Sequence, residues 1–269
     1  MGRSKAALPW HGPTLLERVT GILARSLDGP IVVVRASGQE LPRLWASVEV
    51  VEDACEGRGP LEGIAAGLRA VEGRAWAAYV SSTDVPLLHP AFVRRVVEAL
   101  DGEADAAVPR AGGCVHPLAA AYKTSLLPLV EELLAAERLP TLALLDEARV
   151  RWLDEDDLLA DPELATVDAG LDSLRNLNEL ADYEAARALP EPEVLVACLG
   201  TPGAPGQDGP IPVRASTLRA AAAAAGVELD PTVVAHVNGE IARDRTLPLV
   251  GGDVVTFTST VSGESADRY

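Results

Sequence analysis

Apolar residues in the first hundred positions alternate between helical spacing and short continuous runs. The pattern predicts, in chain order, a helix over 14–26, a strand over 31–35, a helix over 61–71, a strand over 76–81 and a helix over 90–100. Strands that alternate with helices in this way are typical of a mostly parallel sheet with helices on its faces. We therefore expect an α/β domain at the start of the chain.

The pattern continues with shorter elements up to a proline-rich segment. Strands are predicted over 106–109 and 118–122, and helices over 126–136 and 179–189. The sequence LPEPE at 189–193 then combines prolines with acidic residues, which favours an extended linker. We predict a first domain over 1–189, a linker over 190–193 and a second domain over 194–269.

The second domain has a pattern of its own. A strand is predicted over 194–199, an alanine-rich helix over 215–225 that ends at Gly226, and strands over 233–237 and 254–261. This mixture indicates a small α+β domain, and roughly 75 residues suffice for a marginally stable independent fold.

Composition and charge limit the classes of partner. The 269 residues are 48% hydrophobic and 4% aromatic, with a formal net charge of −17, which indicates an acidic globular protein. Such a chain lacks the basic face that nucleic acids and anionic membranes require. We therefore expect neither as a partner, and an anionic ligand would need a locally basic pocket.

The three cysteines, Cys55, Cys114 and Cys198, are far apart and show none of the paired spacings of a disulfide framework or a zinc site. The sequence also shows no targeting pattern and no apolar run that approaches the length of a membrane span. These features predict a protein of the reducing cytoplasm.

Asp84, in the segment SSTDVPLL, follows the predicted strand over 76–81. Ligands of parallel sheets bind beyond the carboxyl ends of the strands, where a carboxylate can hold Mg²⁺ beside phosphates. An aspartate before Pro86 can equally cap the turn into the next helix. Both interpretations stay open from this residue alone.

The segment GRGPLEGIAAGL places Gly57, Gly59 and Pro60 ahead of the helix over 61–71. Glycines let a base or a phosphate approach the backbone, and the N-terminus of a helix favours an anion. A tight turn followed by close helix packing explains the same residues. The segment is therefore a weak indication of a nucleotide when taken by itself.

Arg3 and Lys5 are cations in an otherwise acidic chain. A lysine ammonium can neutralise a polyphosphate and the charge that develops on a leaving pyrophosphate. A solvated surface lysine is the ordinary alternative.

Polar side chains also stand at the edges of two later elements. His116 precedes a proline, and Asn176 and Asn178 precede the helix over 179–189. The two amides can grip a polar heterocycle or a phosphate, or Asn178 can simply cap the helix. A single histidine is more often structural than catalytic.

Five segments, in this order and spacing, resemble the molybdenum cofactor guanylyltransferase family: MGRSKAALPW, GPLEGIAAGL, SSTDVPLL, HPLAAAY and NLNELADYEAA. The resemblance covers about residues 1–189 and implies a Rossmann-like nucleotidyltransferase fold. It also implies the reaction in which GMP passes from Mg²⁺-GTP to the phosphate of molybdopterin, with release of pyrophosphate. The GPL-x-G form before Ile64 is closer to this branch than to the related cytidylyltransferases, so GTP is favoured over CTP.

The resemblance implies roles for the residues that match its motifs. Lys5 and Asp84 would be the catalytic residues, with Lys5 on the phosphates and Asp84 holding Mg²⁺. The residues near the nucleoside would include Asp53, Gly59, Pro60 and Leu61. The residues that bind the acceptor substrate would be His116, Asn176 and Asn178. In-line attack on the α-phosphorus needs positioning and charge neutralisation more than acid–base chemistry.

The start of the chain departs from the family pattern. In the family, a hydrophobic strand, a Gly-Gly turn and an arginine precede the stretch that matches MG-x-x-K, and Ser4 stands where aspartate is common. Those features supply a central strand, backbone N–H groups that cradle the triphosphate, and a cation. We therefore expect the natural protein to extend upstream of Met1.

The second domain carries a resemblance of its own. VNGE followed by L-x-x-GGDVV resembles the sulfur-carrier proteins of molybdopterin and thiamine synthesis, which have the ubiquitin-like β-grasp fold. Those carriers end in Gly-Gly, whereas Gly263 here is followed by ESADRY. We therefore expect a docking module for other enzymes of the molybdenum cofactor, or a structural appendage, rather than a working carrier.

Two other functions remain open at this point. A non-catalytic adaptor would combine a degenerate transferase fold with the β-grasp domain. A nucleotidyltransferase that acts on another phosphorylated metabolite would use the same motifs.

Overall fold

The computed structural model describes residues 5–53, 57–100, 102–200 and 209–259. The described residues form two compact units, the first comprising 5–8 and 14–178, and the second 9–13 and 179–259. The predicted linker over 190–193 therefore lies within the second unit, together with the helix that precedes it. That helix is held there by Tyr183, whose hydroxyl donates to the carbonyl of Pro9 and whose ring lies 6.3 Å from that of Trp10.

The first unit contains the helices and strands that the hydrophobic pattern predicts, with several more. Its helices are α1 Leu15–Ser26, α2 Pro60–Val71, α3 Pro90–Glu98, α4 Leu127–Ala135, α5 Thr141–Glu147, α6 Glu155–Leu159 and α7 Pro162–Val167. Its strands are β1 Ile31–Arg35, β2 Val48–Glu52, β3 Ala77–Ser81, β4 Ala106–Ala111, β5 Cys114–Val115, β6 Ala119–Lys123 and β7 Val150–Leu153. Its 3-10 helices are Lys5–Ala7, Thr124–Leu126 and Asp172–Leu174.

Helices of this unit begin at residues suited to helix starts. Thr14 and Glu17 form a reciprocal capping box at α1, which satisfies backbone N–H groups that have no partner within the helix. Gly59 precedes α2 with φ of 80°, a conformation that favours glycine, and Pro60 takes the first helical position. The glycines ahead of α2 therefore do have the structural role of a turn.

The strands of the first unit form two groups. β1 pairs in parallel with β2. The other group has the order β3-β6-β4-β5, with β7 beside β4. β4 and β7 are parallel, but β6 is antiparallel to both β3 and β4. The expectation of a mostly parallel sheet is therefore met only in part, because the short β4–β5–β6 connections cannot make the long crossover that parallel neighbours need.

The main core of the first unit lies where α2 and α4 pack on the second strand group. Its largest buried side chains belong to alternate positions of the strands and to the inner faces of the helices. They include Leu61, Ile64, Leu68, Val108, Tyr122, Val130, Leu133 and Leu144. Tyr122 is the one polar member of this set, and its hydroxyl donates to the carbonyl of Pro117 at 2.8 Å.

The second unit contains one continuous sheet. Its elements are α8 Leu180–Arg187, β8 Glu193–Leu199, β9 Ile211–Arg214, α9 Leu218–Ala224, β10 Val233–Val237, β11 Glu240–Ala242 and β12 Val254–Ser259. The strand order is β11-β10-β12-β8-β9, and the central pair β8 and β12 is parallel. Residues of α9 pack on the inward-facing side chains of the sheet, among them Val196 and Phe257.

Some predictions fall on residues that are not described. Cys55 and the segment around Gly263 lie outside the described residues. Cys114 is exposed and Cys198 is buried, and neither takes part in a disulfide. Within the described ranges, no helix has the length and apolar character that crossing a membrane requires.

Candidate active site

Lys5 and Asp84, which are far apart in the sequence, form an ion pair. The Lys5 ammonium lies 2.8 Å from Oδ2 of Asp84, just beyond the end of β3. Lys5 is held at this place because Ala6 packs against Leu16 of α1 and Val33 of β1. The other carboxylate oxygen, Oδ1, has no hydrogen bond among the described residues. The pair therefore presents both a cation and an available carboxylate oxygen.

The segment with the two asparagines is attached to the Asp84 turn. The backbone N–H of Leu177 donates to the carbonyl of Asp84 at 2.9 Å. Leu177 is buried, whereas Asn176 and Asn178 on either side of it are exposed. The alternative in which Asn178 caps the next helix is wrong, because Glu179 occupies the capping position of α8. Both amides are thus accessible next to the Asp84 turn.

Asp168, which the sequence analysis missed, holds this segment in place. Its carboxylate accepts hydrogen bonds from the backbone N–H groups of Asp172, at 2.7 Å, and Ser173, at 3.2 Å. The hydroxyl of Ser173 in turn accepts from the backbone N–H of His89 at 3.0 Å, which ties the segment to the start of α3. Burial raises the pKa of Asp168 above its ordinary value. The only sequence signal was an aspartate ahead of the turn-forming AGLDS, a pattern too common to single out.

Three of the four residues predicted near the nucleoside line one cavity. This cavity of about 350 Å³ is bordered by Asp53, Gly59 and Pro60, together with β1 and the residues after β3. Asp53 follows β2, and its backbone N–H donates to the carbonyl of Arg35 at 2.7 Å. The side chain of Leu61 lies in the core with no exposed surface, so only its backbone can contribute to a ligand site.

His116 has a structural environment. Its Nε2 lies 3.2 Å from the carbonyl oxygen of Ala111, and its backbone N–H donates to the carbonyl of Pro109. These contacts hold the link between β5 and β6, and neither joins His116 to Lys5 or Asp84. Among the described residues, no hydrogen bond joins His116 to either member of the ion pair.

The donor set fits a magnesium ion that is bound largely by its substrate. The described residues contain no group of three or more His, Cys, Asp or Glu side chains placed to hold a metal. Mg²⁺ commonly uses one or two carboxylates and takes its remaining ligands from water and substrate phosphates. Asp84, with one oxygen available and Lys5 beside it, is suited to that arrangement.

Comparison with known proteins places this chain in a family. The sequence model of the MobA-like NTP transferase domain matches residues 1–152. A probable molybdenum cofactor guanylyltransferase of Mycobacterium avium is 40% identical over 152 residues, which are 54% of this chain and 74% of that protein. A second probable guanylyltransferase, from Pelotomaculum thermopropionicum, is 32% identical over 194 residues, which are 71% of this chain and 87% of that protein.

A solved structure shows the same fold. Molybdopterin-guanine dinucleotide biosynthesis protein A from Archaeoglobus fulgidus aligns with a TM-score of 0.53 and 23% identity, over 69% of this chain and 90% of that one. The two sequence relatives are similar to this chain in their reaction class as well as in their fold. The chain belongs to the MobA-like NTP transferase family and is a nucleotidyltransferase enzyme of molybdenum cofactor biosynthesis.

Proposed function

We propose that this chain transfers GMP from Mg²⁺-GTP to the phosphate of molybdopterin and releases pyrophosphate. The observation that carries the proposal is the Lys5–Asp84 pair, 2.8 Å apart, beside an exposed pair of asparagines. Each partner of the ion pair matches one part of a metal–nucleotide complex. The ammonium matches the phosphate oxygens, and the carboxylate matches the cation.

The residues of the chain have separate tasks in this reaction. An oxygen of the molybdopterin phosphate attacks the α-phosphorus, and the bond from that phosphorus to the β-phosphate oxygen breaks. The electron pair of that bond leaves with pyrophosphate, so the step needs no proton transfer. Lys5 offsets the charge that develops on the leaving group, Asp84 holds the metal ion, and a bound Mg²⁺ supplies further charge neutralisation.

Selection of the two substrates is assigned to different residues. The cavity with Asp53, Gly59 and Pro60 is the proposed position of the nucleoside, with GTP favoured over CTP. Asn176 and Asn178, next to the Asp84 turn, are the proposed ligands of the molybdopterin, since amide groups hydrogen-bond both phosphates and polar rings. His116 is retained as a weaker candidate for the same substrate, because its ring is already engaged by Ala111.

The second unit is proposed to be a ubiquitin-like β-grasp domain that docks other enzymes of the molybdenum cofactor. Its single mixed sheet, with the first and last strands adjacent at the centre and one helix on the inner face, supports this assignment. Asn238, with φ of 52°, and Gly239 form a tight turn between β10 and β11. The reducing cytoplasm is the proposed compartment, supported by the unpaired Cys114 and Cys198.

Pyrophosphate release tests the proposed reaction. Purified protein is mixed with molybdopterin and Mg²⁺ together with GTP or CTP, both as the 269-residue chain and with an apolar segment fused ahead of Met1. The proposal expects release that depends on molybdopterin and is faster with GTP. Absence of turnover with either nucleotide in the extended protein would overturn it. Binding of a partner enzyme without any nucleotide binding would favour the adaptor instead.

A further inference from the structure

A buried arginine of α1 contacts the turn that carries Asp84. Arg18 is only 4% exposed, and its Nε–H donates to the backbone carbonyl of Pro86 at 2.5 Å. Pro86 is itself buried, so its carbonyl oxygen needs a hydrogen-bond donor from the protein. Arg18 supplies that donor from 68 positions away in the sequence.

Packing alone gives no reason for a cation at this position of α1. The buried side chains of the helix around it include Leu15, Leu16, Val19 and Ile22. A buried guanidinium costs free energy unless its N–H groups are paired, and an apolar side chain would fill the same space without that cost. The arginine therefore indicates a task at the Asp84 turn.

The same helix is bonded to the segment that carries Lys5. The backbone N–H of Leu15 donates to the carbonyl of Leu8 at 2.9 Å, and the N–H of Leu8 donates to the carbonyl of Lys5 at 3.0 Å. Arg18 lies about one turn further along α1 than Leu15. One rigid helix thus holds the Lys5 segment at its start and the Asp84 turn through Arg18.

The geometry of the turn transmits the position of the Pro86 carbonyl to Asp84. The backbone N–H of Leu88 closes the turn on the carbonyl of Val85 at 3.1 Å. Pro86 occupies the second position of this turn, where its ring fixes φ. With the turn closed and φ fixed, a rotation of the Pro86 peptide tilts the chain that enters the turn, and Asp84 lies two residues before it.

We infer that Arg18 is a positioning residue, whose Nε–H holds the turn so that the Asp84 carboxylate meets both Lys5 and the metal ion. The inference rests on the proposed function, in which Asp84 holds Mg²⁺ on the nucleotide. Arg18 acts through the Pro86 carbonyl, and no contact with the substrates is assigned to it. The part of the side chain that matters is the N–H donor at the ε position rather than the positive charge.

Two neutral substitutions in the 269-residue chain separate the donor from the charge. Arg18→Gln keeps an N–H donor on the ε atom of the side chain, whereas Arg18→Met has the same length to that atom and no donor. Both substitutions remove the charge. The difference between the two variants therefore measures the hydrogen bond to Pro86.

Amide exchange over residues 84–89 in the nucleotide-free protein reports the position of the turn. Arg18→Met should exchange at least about fivefold faster there than the parent, because a buried carbonyl loses its donor. Arg18→Gln should stay within about twofold of the parent, since the donor is retained. Exchange of α1 and the thermal unfolding midpoint should be alike in the two variants, because the hydrogen bond acts on the turn.

A Mg²⁺ titration of nucleotide binding reports the consequence for the metal site. The probe is GTP with a fluorophore on its ribose. The Mg²⁺ concentration for half-maximal binding should rise at least about fivefold in Arg18→Met and by less than about twofold in Arg18→Gln. At saturating Mg²⁺ both variants should bind the probe like the parent, a split that a general loss of stability would not produce.

Arg69→Met is the matched control. Arg69 belongs to α2, its side chain is 48% exposed, and it pairs with Glu131 at 2.6 Å. This variant loses the same guanidinium group and should leave both the exchange of residues 84–89 and the Mg²⁺ titration at the values of the parent.

Three results would overturn the inference. They are equal exchange of the turn in Arg18→Gln and Arg18→Met, an equal Mg²⁺ requirement of the two variants, and loss of folding in either one, which would assign Arg18 to the stability of the unit. If the parent binds no Mg²⁺-nucleotide, the proposed reaction fails, and the exchange comparison alone then decides the role of Arg18.

Discussion

The two units differ in how their sheets are completed. In the second unit the five strands found in residues 179–200 and 209–259 form one sheet, and its central strand β12 has neighbours on both edges. In the first unit the strands divide into two groups, and three residues proposed for nucleotide binding, Asp53, Gly59 and Pro60, line a cavity together with β1 and the end of β3. Among the described residues, the second unit therefore completes one sheet, whereas in the first unit β1 and β3 each keep one edge without a partner strand beside the proposed nucleotide cavity.

The largest expected effect is the loss of stability when a buried side chain of the second unit's sheet is truncated. Phe257 has no exposed surface in the core of the second unit, so Phe257→Ala should lower the free energy of unfolding of that unit by about 3–5 kcal/mol. Leu199→Ala, on the outward face with 52% of the residue exposed, is the control and should change it by less than about 0.5 kcal/mol. Denaturant unfolding followed by the exchange of β12 amides measures both. If both substitutions lowered the free energy of unfolding equally, Phe257 would not lie in the core of the second unit.

A smaller expected effect is a difference in amide exchange rate between the sheets of the two units. Amides of β12, paired on both edges, should exchange at least about tenfold more slowly than those of β1 and β3, each of which has a partner strand on one edge only within the described part of the chain. Hydrogen-exchange mass spectrometry on the unmodified chain resolves these segments. Comparable protection of β1 and β12 would contradict the difference in strand pairing between the two units.

The smallest effect concerns two aspartates of the first unit whose pKa values shift in opposite directions. The hydrogen bond from Arg149 lowers the pKa of Asp105 below 3.8, so the pair stabilises the fold above that pH and the contribution is lost as the pH falls through the lowered pKa. Burial raises the pKa of Asp168 above 3.8, so stability declines as the pH rises from 3.8 to the raised pKa and is level beyond it.

The variants Asp105→Asn and Asp168→Asn should therefore change the pH dependence of unfolding with opposite signs. For Asp105 the change should remain below about 1 kcal/mol, since the partner Arg149 is largely exposed. Thermal unfolding between pH 3 and pH 7, roughly the range in which carboxyl groups titrate, measures both. Slopes of the same sign would contradict the assigned environments.

The sequence predicted the bounds of helices and strands well where their apolar residues recur at a regular spacing. β1 and β10 have the predicted bounds, and α1 and α2 differ from them by a single residue. β2 was missed because VEVVE carries charged residues at a sheet edge, and β9 because IPVR contains proline, which edge strands tolerate. Edge strands are stabilised more by backbone pairing than by burial of their side chains. Their sequences therefore show a weaker hydrophobic pattern.

The members of the candidate site were proposed from sequence motifs, but their geometry could not be predicted in that way. The motifs indicated Lys5 and Asp84 separately, yet only the packing of Ala6 brings two residues 79 positions apart to 2.8 Å. Asp168 gave no usable signal because it acts through backbone hydrogen bonds on a neighbouring segment. Spacing along a chain cannot reveal a contact that is created by the fold.

The central claim is that the Lys5–Asp84 pair is the centre of a nucleotidyltransferase, and turnover of the Asp84→Asn variant tests it most directly. In the protein that turns over in this assay, the substitution should lower molybdopterin-dependent pyrophosphate release roughly a hundredfold or more, because the carboxylate proposed to hold the metal is lost. The unfolding midpoint should stay close to that of the parent, since Asp84 is partly exposed and contacts one side chain. Asp146→Asn, at an exposed aspartate of α5, should leave the rate unchanged. A rate for Asp84→Asn within about twofold of the parent would contradict the account.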